Sequence, residues 1–208
     1  MKLLFIRHGE SVANTEGRLQ GQMDSPLTDR GREQAHALAR RLARERWPVS
    51  SIHSSDLCRA ADTAGILGAA LDAPVFLDER LREYDVGGLT GLTRADIEHQ
   101  YPELWRISRQ SPAWPTVPGE EGNEAFSRRI ASVLDHIRST HEDEQVVAVV
   151  SHGRTLGMML MYLLGIDLGR RTPFRFGNAS LTVVEVRKHE IVLASLNDMC
   201  HLNAGLHK

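Results

Sequence analysis

The chain has 208 residues, of which 41% are hydrophobic and 25% are charged, and its formal net charge is −2. This composition is typical of a globular protein with a sizeable core, and it lacks the basic excess expected for binding to nucleic acid or anionic membranes. No apolar stretch is long enough to span a bilayer, and the apolar start ends at Arg7, too early for a secretory signal. Two cysteines do not make a disulfide framework. We therefore expect a cytoplasmic protein with a single domain over residues 1–208.

The first third of the chain alternates between strand and helix patterns. Residues 3–6 form a short apolar run that stops at Gly9, as a buried strand would, and residues 14–26 form a polar loop. Thr28 is the candidate N-cap of a helix that runs to residue 46. A strand at 49–54, a helix at 57–71 and a strand at 75–77 are expected next.

The middle of the chain has a different character. Residues 84–91 are glycine-rich, residues 95–105 have helical periodicity, and residues 108–122 contain three prolines. Long irregular segments in compact domains are frequently functional, so we expect an insertion at about 84–122 that covers a site. Beyond it the pattern predicts a helix at 125–140, the most apolar strand at 146–150, a helix at 155–164, and a hairpin of strands 181–186 and 191–196.

This alternation predicts an α/β fold with three layers, in which helices cover both faces of a mostly parallel sheet. Ligands bind such sheets beyond the carboxyl ends of the strands. Two strands end in the same way, because the first runs into Arg7-His8-Gly9 and the most apolar one runs into Ser151-His152-Gly153. One histidine at a strand end is equally well explained as chance, but two on neighbouring strands would face one crevice.

Two further polar residues follow strands. Arg59 lies in the first turn of the helix after the strand at 49–54, and Glu83 follows the strand at 75–77. Neutral imidazole is a competent nucleophile that needs no metal near neutral pH, and arginine grips a phosphate with two N–H groups. Two histidines, two arginines and one carboxylate around one cleft suit phosphoryl transfer, which depends on positioning and on neutralising charge.

These motifs, with residues 27–31, 54–60 and 87–91, resemble the histidine phosphatase superfamily, also called the phosphoglycerate mutase-like family, over nearly the whole chain. The resemblance implies that His8 is the phosphorylated nucleophile and that Glu83 is the general acid and later the base for water. Arg7, Arg59 and a protonated His152 would form the phosphate pocket, so neither a metal ion nor another cofactor is expected.

The same resemblance places Asn14 and Thr28 near the phosphate. A helix cap explains Thr28 better, and a loop-capping amide explains Asn14 equally well. Glu10 lies two residues from His8 and is the rival candidate for the acid, unless its side chain caps local backbone. Arg154 stands where the family usually has a small or aliphatic residue. It either adds positive charge for an acidic substrate or points to solvent, and the second interpretation is favoured slightly.

Within the family the chain is similar to the short broad-specificity phosphatases and the alpha-ribazole phosphatases. This similarity predicts a metal-independent phosphomonoesterase whose partner is a small phosphate ester, with neither nucleic acid nor membrane involved. The physiological substrate and the oligomeric state, including a homodimer, are left open by the sequence.

Three alternatives are weaker. The runner-up is a 2,3-bisphosphoglycerate-dependent phosphoglycerate mutase, but these are longer and carry paired arginines in the insertion, whereas Arg106 and Arg109 are not adjacent. A catalytically inactive binding protein on the same scaffold should lack a catalytic residue, and all are present. A metallohydrolase using His8 and His152 is disfavoured because no helix has a His-x-x-x-His spacing.

Overall fold

A six-stranded sheet organises the part of the chain that the computed structural model describes, residues 1–110 and 116–202. The strands are β1 (Lys2–Arg7), β2 (Val49–Ser54), β3 (Val75–Leu77), β4 (Val146–Ser151), β5 (Leu181–Val186) and β6 (Ile191–Asp198). Their order is β3-β2-β4-β1-β5-β6. The first four strands are parallel, β5 pairs antiparallel with β1, and β6 pairs antiparallel with β5. The predicted α/β class and mostly parallel sheet are confirmed.

Helices cover both faces of this sheet. In the described residues they are α1 (Val12–Thr15), α2 (Asp29–Arg44), α3 (Cys58–Leu71), α4 (Arg94–Gln100), α5 (Pro102–Gln110), α6 (Asn123–Thr140) and α7 (Gly153–Leu163). Successive side chains of a strand point to opposite faces. Leu4 and Ile6 of β1 therefore pack with α2 and α3, whereas Leu3 and Phe5 pack with α6 and α7. Because it is central, β4 is buried along its whole length.

The first long helix forms for the reasons that the sequence indicated. Thr28 is the N-cap of α2, and its side chain accepts a hydrogen bond from the backbone N–H of Gly31. The buried residues of this helix recur at helical spacing and face the sheet. They include Ala35, Leu38, Ala39 and Leu42. Within the described residues no helix has both the length and the apolar character needed to cross a membrane.

The insertion differs from its prediction at one point. The single helix expected at 95–105 is two helices, because Pro102 follows Tyr101. Proline disfavours α conformation in the residue before it and lacks an N–H, and Tyr101 accordingly has φ −132° and ψ 56°. α4 therefore ends at Gln100, and α5 extends to Gln110 into the segment expected to be irregular. Residues 111–115 lie outside the described part, and the single-domain organisation stays a prediction.

The loop at 14–26 also departs from expectation, because its start lies in the short helix α1. Ser11 is the N-cap, and Asn14 completes a reciprocal capping box with it. A four-residue helix leaves no apolar periodicity to read from sequence. It sets the path of the chain directly after the first strand-end motif.

Candidate active site

His8 follows directly on β1 and lies beside β4. The two strands are parallel and in register, so that Arg7 is opposite Ser151 and the next residues, His8 and His152, meet at one edge of the sheet. Their ring centroids are 5.2 Å apart, and neither residue is more than 2% exposed. The two histidines were predicted to lie together at the ends of neighbouring strands, and they do.

His8 has its proton on a defined ring nitrogen. Its Nδ1 lies 2.7 Å from the carbonyl oxygen of Gly9, and because a carbonyl only accepts, Nδ1 carries the proton. Burial, and then the positive charges of Arg7 and Arg59, hold the pKa of His8 well below its usual range. The ring is therefore neutral near pH 7 with its lone pair on Nε2, which is the form that a nucleophile requires.

A direct hydrogen bond joins Arg59 to His152. The Nε–H of Arg59 donates to Nδ1 of His152 over 3.2 Å. A guanidinium only donates, so Nε2 of His152 carries the ring hydrogen and lies 2.9 Å from Oγ of Ser55. Burial first, and then Arg59, lower the pKa of His152 well below its usual range. The structure thus has a neutral His152, where the sequence analysis expected a cation.

Arg59 is also bound to the loop that precedes α2. Its Nη1 donates to the carbonyl oxygen of Met23 at 2.8 Å, and its Nη2 donates to that of Gly21 at 2.9 Å. The residue is only 1% exposed. Arginine has five N–H groups, and these contacts together with the one to His152 use three of them. Arg59 is therefore fixed in place before it meets an anion, as electrostatic preorganisation requires.

Arg7 supplies a second buried cation. Its Nη1 donates to the carbonyl oxygen of Phe176 at 2.6 Å, while its Nε is buried and has no hydrogen-bond partner among the described residues. Burial lowers the pKa of Arg7, and the nearby carboxylate of Glu83 partly opposes that effect. An anionic oxygen would satisfy the Nε–H, so the position suits a phosphate ligand.

Glu83 lies on the segment after β3 and reaches the N-terminus of α7. Its Oε1 accepts from the backbone N–H groups of Thr155 (3.1 Å) and Tyr84 (3.0 Å), and its Oε2 accepts from that of Arg154 (3.2 Å). The N-terminus of a helix offers unsatisfied N–H groups to a carboxylate. Because α7 begins directly after His152, these bonds hold Glu83 beside the histidine pair.

Glu10, the rival acid, turns towards the start of α2. Its Oε1 accepts from Oγ1 of Thr28 at 3.0 Å, and its Oε2 lies 4.0 Å from Nη1 of Arg30. Its backbone carbonyl accepts from the N–H of Thr28 at 2.9 Å. These contacts support the interpretation that Glu10 serves local structure at a helix N-terminus.

Asn14 and Thr28, both predicted to approach the phosphate, take part in capping. Oδ1 of Asn14 accepts from the backbone N (3.1 Å) and the Oγ (3.0 Å) of Ser11. Oγ1 of Thr28 accepts from the N–H of Gly31 at 3.0 Å. The capping interpretations therefore describe real contacts, and phosphate binding by these two residues stays a prediction.

Asn178 is a site residue that the sequence analysis missed. Its Nδ2 lies 3.2 Å from the carbonyl oxygens of both His8 and Gly9, and 3.1 Å from Oδ1 of Asn14. It thereby helps to hold the carbonyl that orients the His8 ring. Its position in the sequence could have indicated this, because Asn178 comes just before β5. That strand is antiparallel to β1, so it starts at the edge of the sheet where β1 ends.

Two glycines let the loop after β1 pack against α2. A Cβ on Gly9 would lie 2.3 Å from the carbonyl oxygen of Gly31, and a Cβ on Gly31 would lie 2.0 Å from that of Glu10. Both distances are far below van der Waals contact with backbone atoms. Close approach of the two backbones is thus the reason for glycine in both motifs.

Arg154 does not point to solvent, so the interpretation that the sequence analysis favoured is wrong. Its Cζ lies 3.4 Å from the ring centroid of Tyr84 and 5.6 Å from that of Phe126. The side chain is partly buried and makes a cation–π contact. Helical position alone could not show this, because both rings belong to distant parts of the chain. Whether Arg154 also attracts an acidic substrate stays a prediction.

The metallohydrolase alternative finds no support in the donor set. Among the described residues, no group of three or more His, Cys, Asp or Glu side chains is placed to hold a metal ion. In addition, Nδ1 of His152 accepts from the cationic Arg59, whose charge would repel a metal ion at that nitrogen.

Comparison with known proteins identifies the family. The model of the histidine phosphatase superfamily, branch 1, matches residues 3–199. Phosphoserine phosphatase 1 of Hydrogenobacter thermophilus is 35% identical over 202 residues, which cover 97% of this chain and 94% of that protein. The metal-independent phosphoserine phosphatase of Arabidopsis thaliana is 33% identical over 207 residues, 98% of this chain and 84% of that protein.

A solved structure agrees with these sequence matches. The alpha-ribazole phosphatase of Shigella flexneri superposes with a TM-score of 0.84 at 26% sequence identity, covering 96% of this chain and 97% of that chain. The predicted family and its phosphoglycerate mutase-like fold are therefore confirmed, as is the predicted class of enzyme, a phosphohydrolase. This chain belongs to branch 1 of the histidine phosphatase superfamily.

Proposed function

We propose that this chain hydrolyses a small phosphate monoester through a phosphohistidine on His8, without a metal ion. The observation that carries the proposal is the hydrogen bond between Nδ1 of His8 and the Gly9 carbonyl. It directs the lone pair of a neutral ring to Nε2, beside the cations Arg7 and Arg59. A ready nucleophile next to two buried positive charges is the arrangement that phosphoryl transfer needs.

In the first half-reaction Nε2 of His8 attacks phosphorus, so that a P–N bond forms and the ester P–O bond breaks. Arg7 and Arg59 neutralise the phosphoryl oxygens. His152 carries its ring hydrogen on Nε2, and as a neutral ring it adds a further donor to those oxygens. Glu83 gives its proton to the departing oxygen, because an alkoxide is a poor leaving group.

In the second half-reaction water attacks the phosphohistidine. The Glu83 carboxylate takes the proton of the water, the P–N bond breaks, and inorganic phosphate leaves a neutral His8. The arginines cannot perform either proton transfer, because a guanidinium does not release a proton near neutral pH. The carboxyl group of Glu83 is held at the N-terminus of α7, beside His152, and this placement supports the assignment.

The names of the relatives support a small substrate, since they refer to phosphoserine and alpha-ribazole phosphatases. A phosphoglycerate mutase would need a second cationic site to retain its bisphosphate intermediate. On the exposed helix α5, Arg106 is hydrogen-bonded to Glu103 at 2.5 and 3.0 Å, and Arg109 lies 5.7 Å from the Trp105 ring. Each of these arginines thus contacts a neighbour within α5, which does not favour the second cationic site that a mutase needs.

The role of Glu83 is tested with Glu83→Gln on two substrates, an alkyl phosphate and an aryl phosphate with a good leaving group. The aryl leaving group hardly needs a proton, so only alkyl transfer depends on the acid. In the first turnover Glu83→Gln should slow the alkyl substrate by about 10²–10⁴ and the aryl substrate far less.

Glu10→Gln is the matched control, because it removes the rival carboxylate, and it should leave the ratio of the two rates unchanged. If Glu83→Gln slows both substrates equally, Glu83 positions phosphate and is not the acid. If only Glu10→Gln changes the ratio, the acid is Glu10. Efficient interconversion of phosphoglycerates by the wild-type protein, with little release of phosphate, would instead establish the mutase.

A further inference from the structure

Arg129 of α6 binds the backbone of the segment that carries Glu83. Its Nη1 donates to the carbonyl oxygens of Arg80 (2.7 Å) and Arg82 (2.9 Å), and its Nη2 lies 3.4 Å from the carbonyl oxygen of Glu83. The guanidinium is a rigid fork of donors, so it fixes several carbonyls relative to one another. One side chain therefore holds the backbone on which the proposed acid is mounted.

Glu121, near the end of the insertion, completes this contact. Its Oε1 accepts from Nη2 of Arg129 at 2.7 Å, and its Oε2 accepts from Nε at 3.2 Å. The same Oε1 accepts from the backbone N–H of Asp85 at 2.9 Å. The two charged side chains are only 17% and 16% exposed. A two-pronged pair with little exposure restrains both partners, so the backbone is held on either side of Glu83.

The carboxyl group of Glu83 is held by a different helix. Its oxygens accept from backbone N–H groups at the start of α7, as described above, whereas the backbone of its segment is bound by Arg129 of α6. α6 and α7 pack in one core cluster on the same face of the sheet. The location of the carboxyl group thus depends on two anchors, the N-terminus of α7 and the side chain of Arg129. A misplacement of about 1 Å in an active site can lower the rate by about 10²-fold.

We propose that Arg129, paired with Glu121, is a positioning residue for Glu83. It holds the backbone from which the carboxyl group reaches the leaving oxygen, and it does so without touching the substrate. The inference rests on the proposed function, because it assumes that Glu83 is the acid. It also gives the insertion at 84–122 a structural role, since Glu121 belongs to the insertion and binds Arg129.

The test measures first-turnover phosphoryl transfer from the alkyl and the aryl phosphate in Arg129→Met, Arg129→Lys, Glu83→Gln and the double variant of Arg129→Met with Glu83→Gln. Arg129→Met should slow the alkyl substrate by about 10- to 100-fold and the aryl substrate by less than about threefold. Arg129→Lys, which keeps the charge and part of the donors, should recover some of the loss. If Arg129 acts only through Glu83, the double variant is no slower than Glu83→Gln alone.

Arg41→Met is the matched control. Arg41 is 12% exposed on its side chain and pairs with Glu45 and Asp198 at 2.8 and 2.7 Å, so it resembles Arg129 in burial and pairing. Its loss should leave both rates unchanged. Thermal melting of every variant shows whether it folds, and Glu121→Gln replaces Arg129→Met if that variant does not. It keeps the arginine and should give the same selective loss, only smaller.

The outcomes separate the two proposals. If Glu83→Gln keeps its leaving-group dependence while Arg129→Met slows both substrates equally, or neither, the positioning role is wrong. A double variant slowed by the full factor of both single variants also overturns it, because the two residues would then act independently. If Glu83→Gln itself shows no leaving-group dependence, the proposed function fails first.

Discussion

The floor of the candidate site, formed by Arg7, His8, Arg59 and His152 and proposed to bind phosphate, contrasts with the insertion at 84–122. Three of the four floor residues are at most 2% exposed. Arg7 ends β1, His8 and His152 directly follow β1 and β4, and Arg59 lies in the first turn of α3. The insertion has its own small cluster around Leu89, Ile97 and Val117, and α5 buries no residue. The difference teaches that the buried charges and the proposed nucleophile are mounted on rigid elements, whereas the insertion has a small core of its own and joins the main core through Tyr84 and Val86.

The largest expected effect comes from the centre of the floor. His8→Ala should reduce turnover by at least about 10⁴-fold, because removal of a nucleophile eliminates the covalent route. Acid-labile, base-stable labelling by a phosphoryl donor should vanish as well. The residue follows the end of β1 and adds little to the apolar core, so the melting temperature should change little.

His36→Ala is the control for this experiment, since His36 is exposed on α2. Its turnover and labelling should match those of the wild-type protein. Persistent labelling of His8→Ala would transfer the nucleophilic role to another histidine, with His152 as the first suspect.

The next effect tests how closely the floor is packed. Gly31→Ala would place a Cβ 2.0 Å from the carbonyl oxygen of Glu10, and backbone at that site cannot yield without moving the loop after β1. We expect unfolding free energy to fall by about 2–4 kcal/mol, measured by chemical denaturation. Gly65→Ala on α3 meets no atom within 4 Å and should raise stability by up to about 1 kcal/mol. Equal tolerance of both substitutions would contradict the close backbone approach.

A matched pair of isoleucines compares the two regions directly. Ile130 is fully buried in the main core on α6, and Ile97 is 5% exposed in the cluster of the insertion. Ile130→Ala should lower the global unfolding free energy by about 2–5 kcal/mol. Ile97→Ala should instead loosen the insertion alone, seen as faster hydrogen exchange and proteolysis there with a smaller change in melting temperature. If both variants lower global stability equally, the insertion folds as part of the main core.

Much of the floor was predictable because its signals are local. The burial of β1 and β4 reads directly from apolar runs, and adjacent parallel strands bring His8 and His152 together without further information. The helix cap at Thr28 is a four-residue pattern. Short-range signals of this kind can be read from a single sequence, because the residues that form each feature lie close together in the chain.

The rest depends on contacts between distant segments. The hydrogen bond from Arg59 to Nδ1 of His152 joins two segments that are far apart in the chain, so neither segment alone predicts it. The stacking of Arg154 on Tyr84 and the hydrogen bond from Arg129 to the carbonyl of Arg82 also join segments that are distant in the chain. Side-chain directions of this sort are set by tertiary packing, which hydrophobic periodicity does not encode.

A smaller effect concerns the stability of the main sheet at acidic pH. His53 of β2 is 6% exposed, near the rings of His141 (5.2 Å) and His136 (6.5 Å). Burial first, and then these two histidines, lower its pKa to about 4. The unfolded chain takes up the proton below about pH 6.5, whereas the folded protein resists it until about pH 4. Stability should therefore fall as pH drops through this window.

His53→Leu tests that assignment, since it replaces the titrating imidazole with an apolar side chain. It should lessen the loss of unfolding free energy between pH 6.5 and 4 by up to about 3 kcal/mol, measured by denaturation at several pH values. His99→Ala, at an exposed position of α4 in the insertion, should leave the pH dependence unchanged. An identical pH profile for His53→Leu and the wild-type protein would show that other groups carry the acid sensitivity.

The last prediction is that removal of metal ions has no effect, because the floor itself supplies the positive charge. Arg7 and Arg59 place two positive charges in a buried site, and the Nε2–H of the neutral His152 adds a further donor there. A divalent metal ion in a phosphatase serves the same end, because it neutralises the phosphoryl oxygens and activates a nucleophile. In the proposed mechanism the nucleophile is the neutral imidazole of His8, which needs no activation. Hydrolysis of an aryl phosphate should therefore continue at an unchanged rate after exhaustive chelation and dialysis. Loss of activity, with recovery on addition of one divalent ion, would mean that the arginines are not sufficient and that the proposed mechanism is wrong.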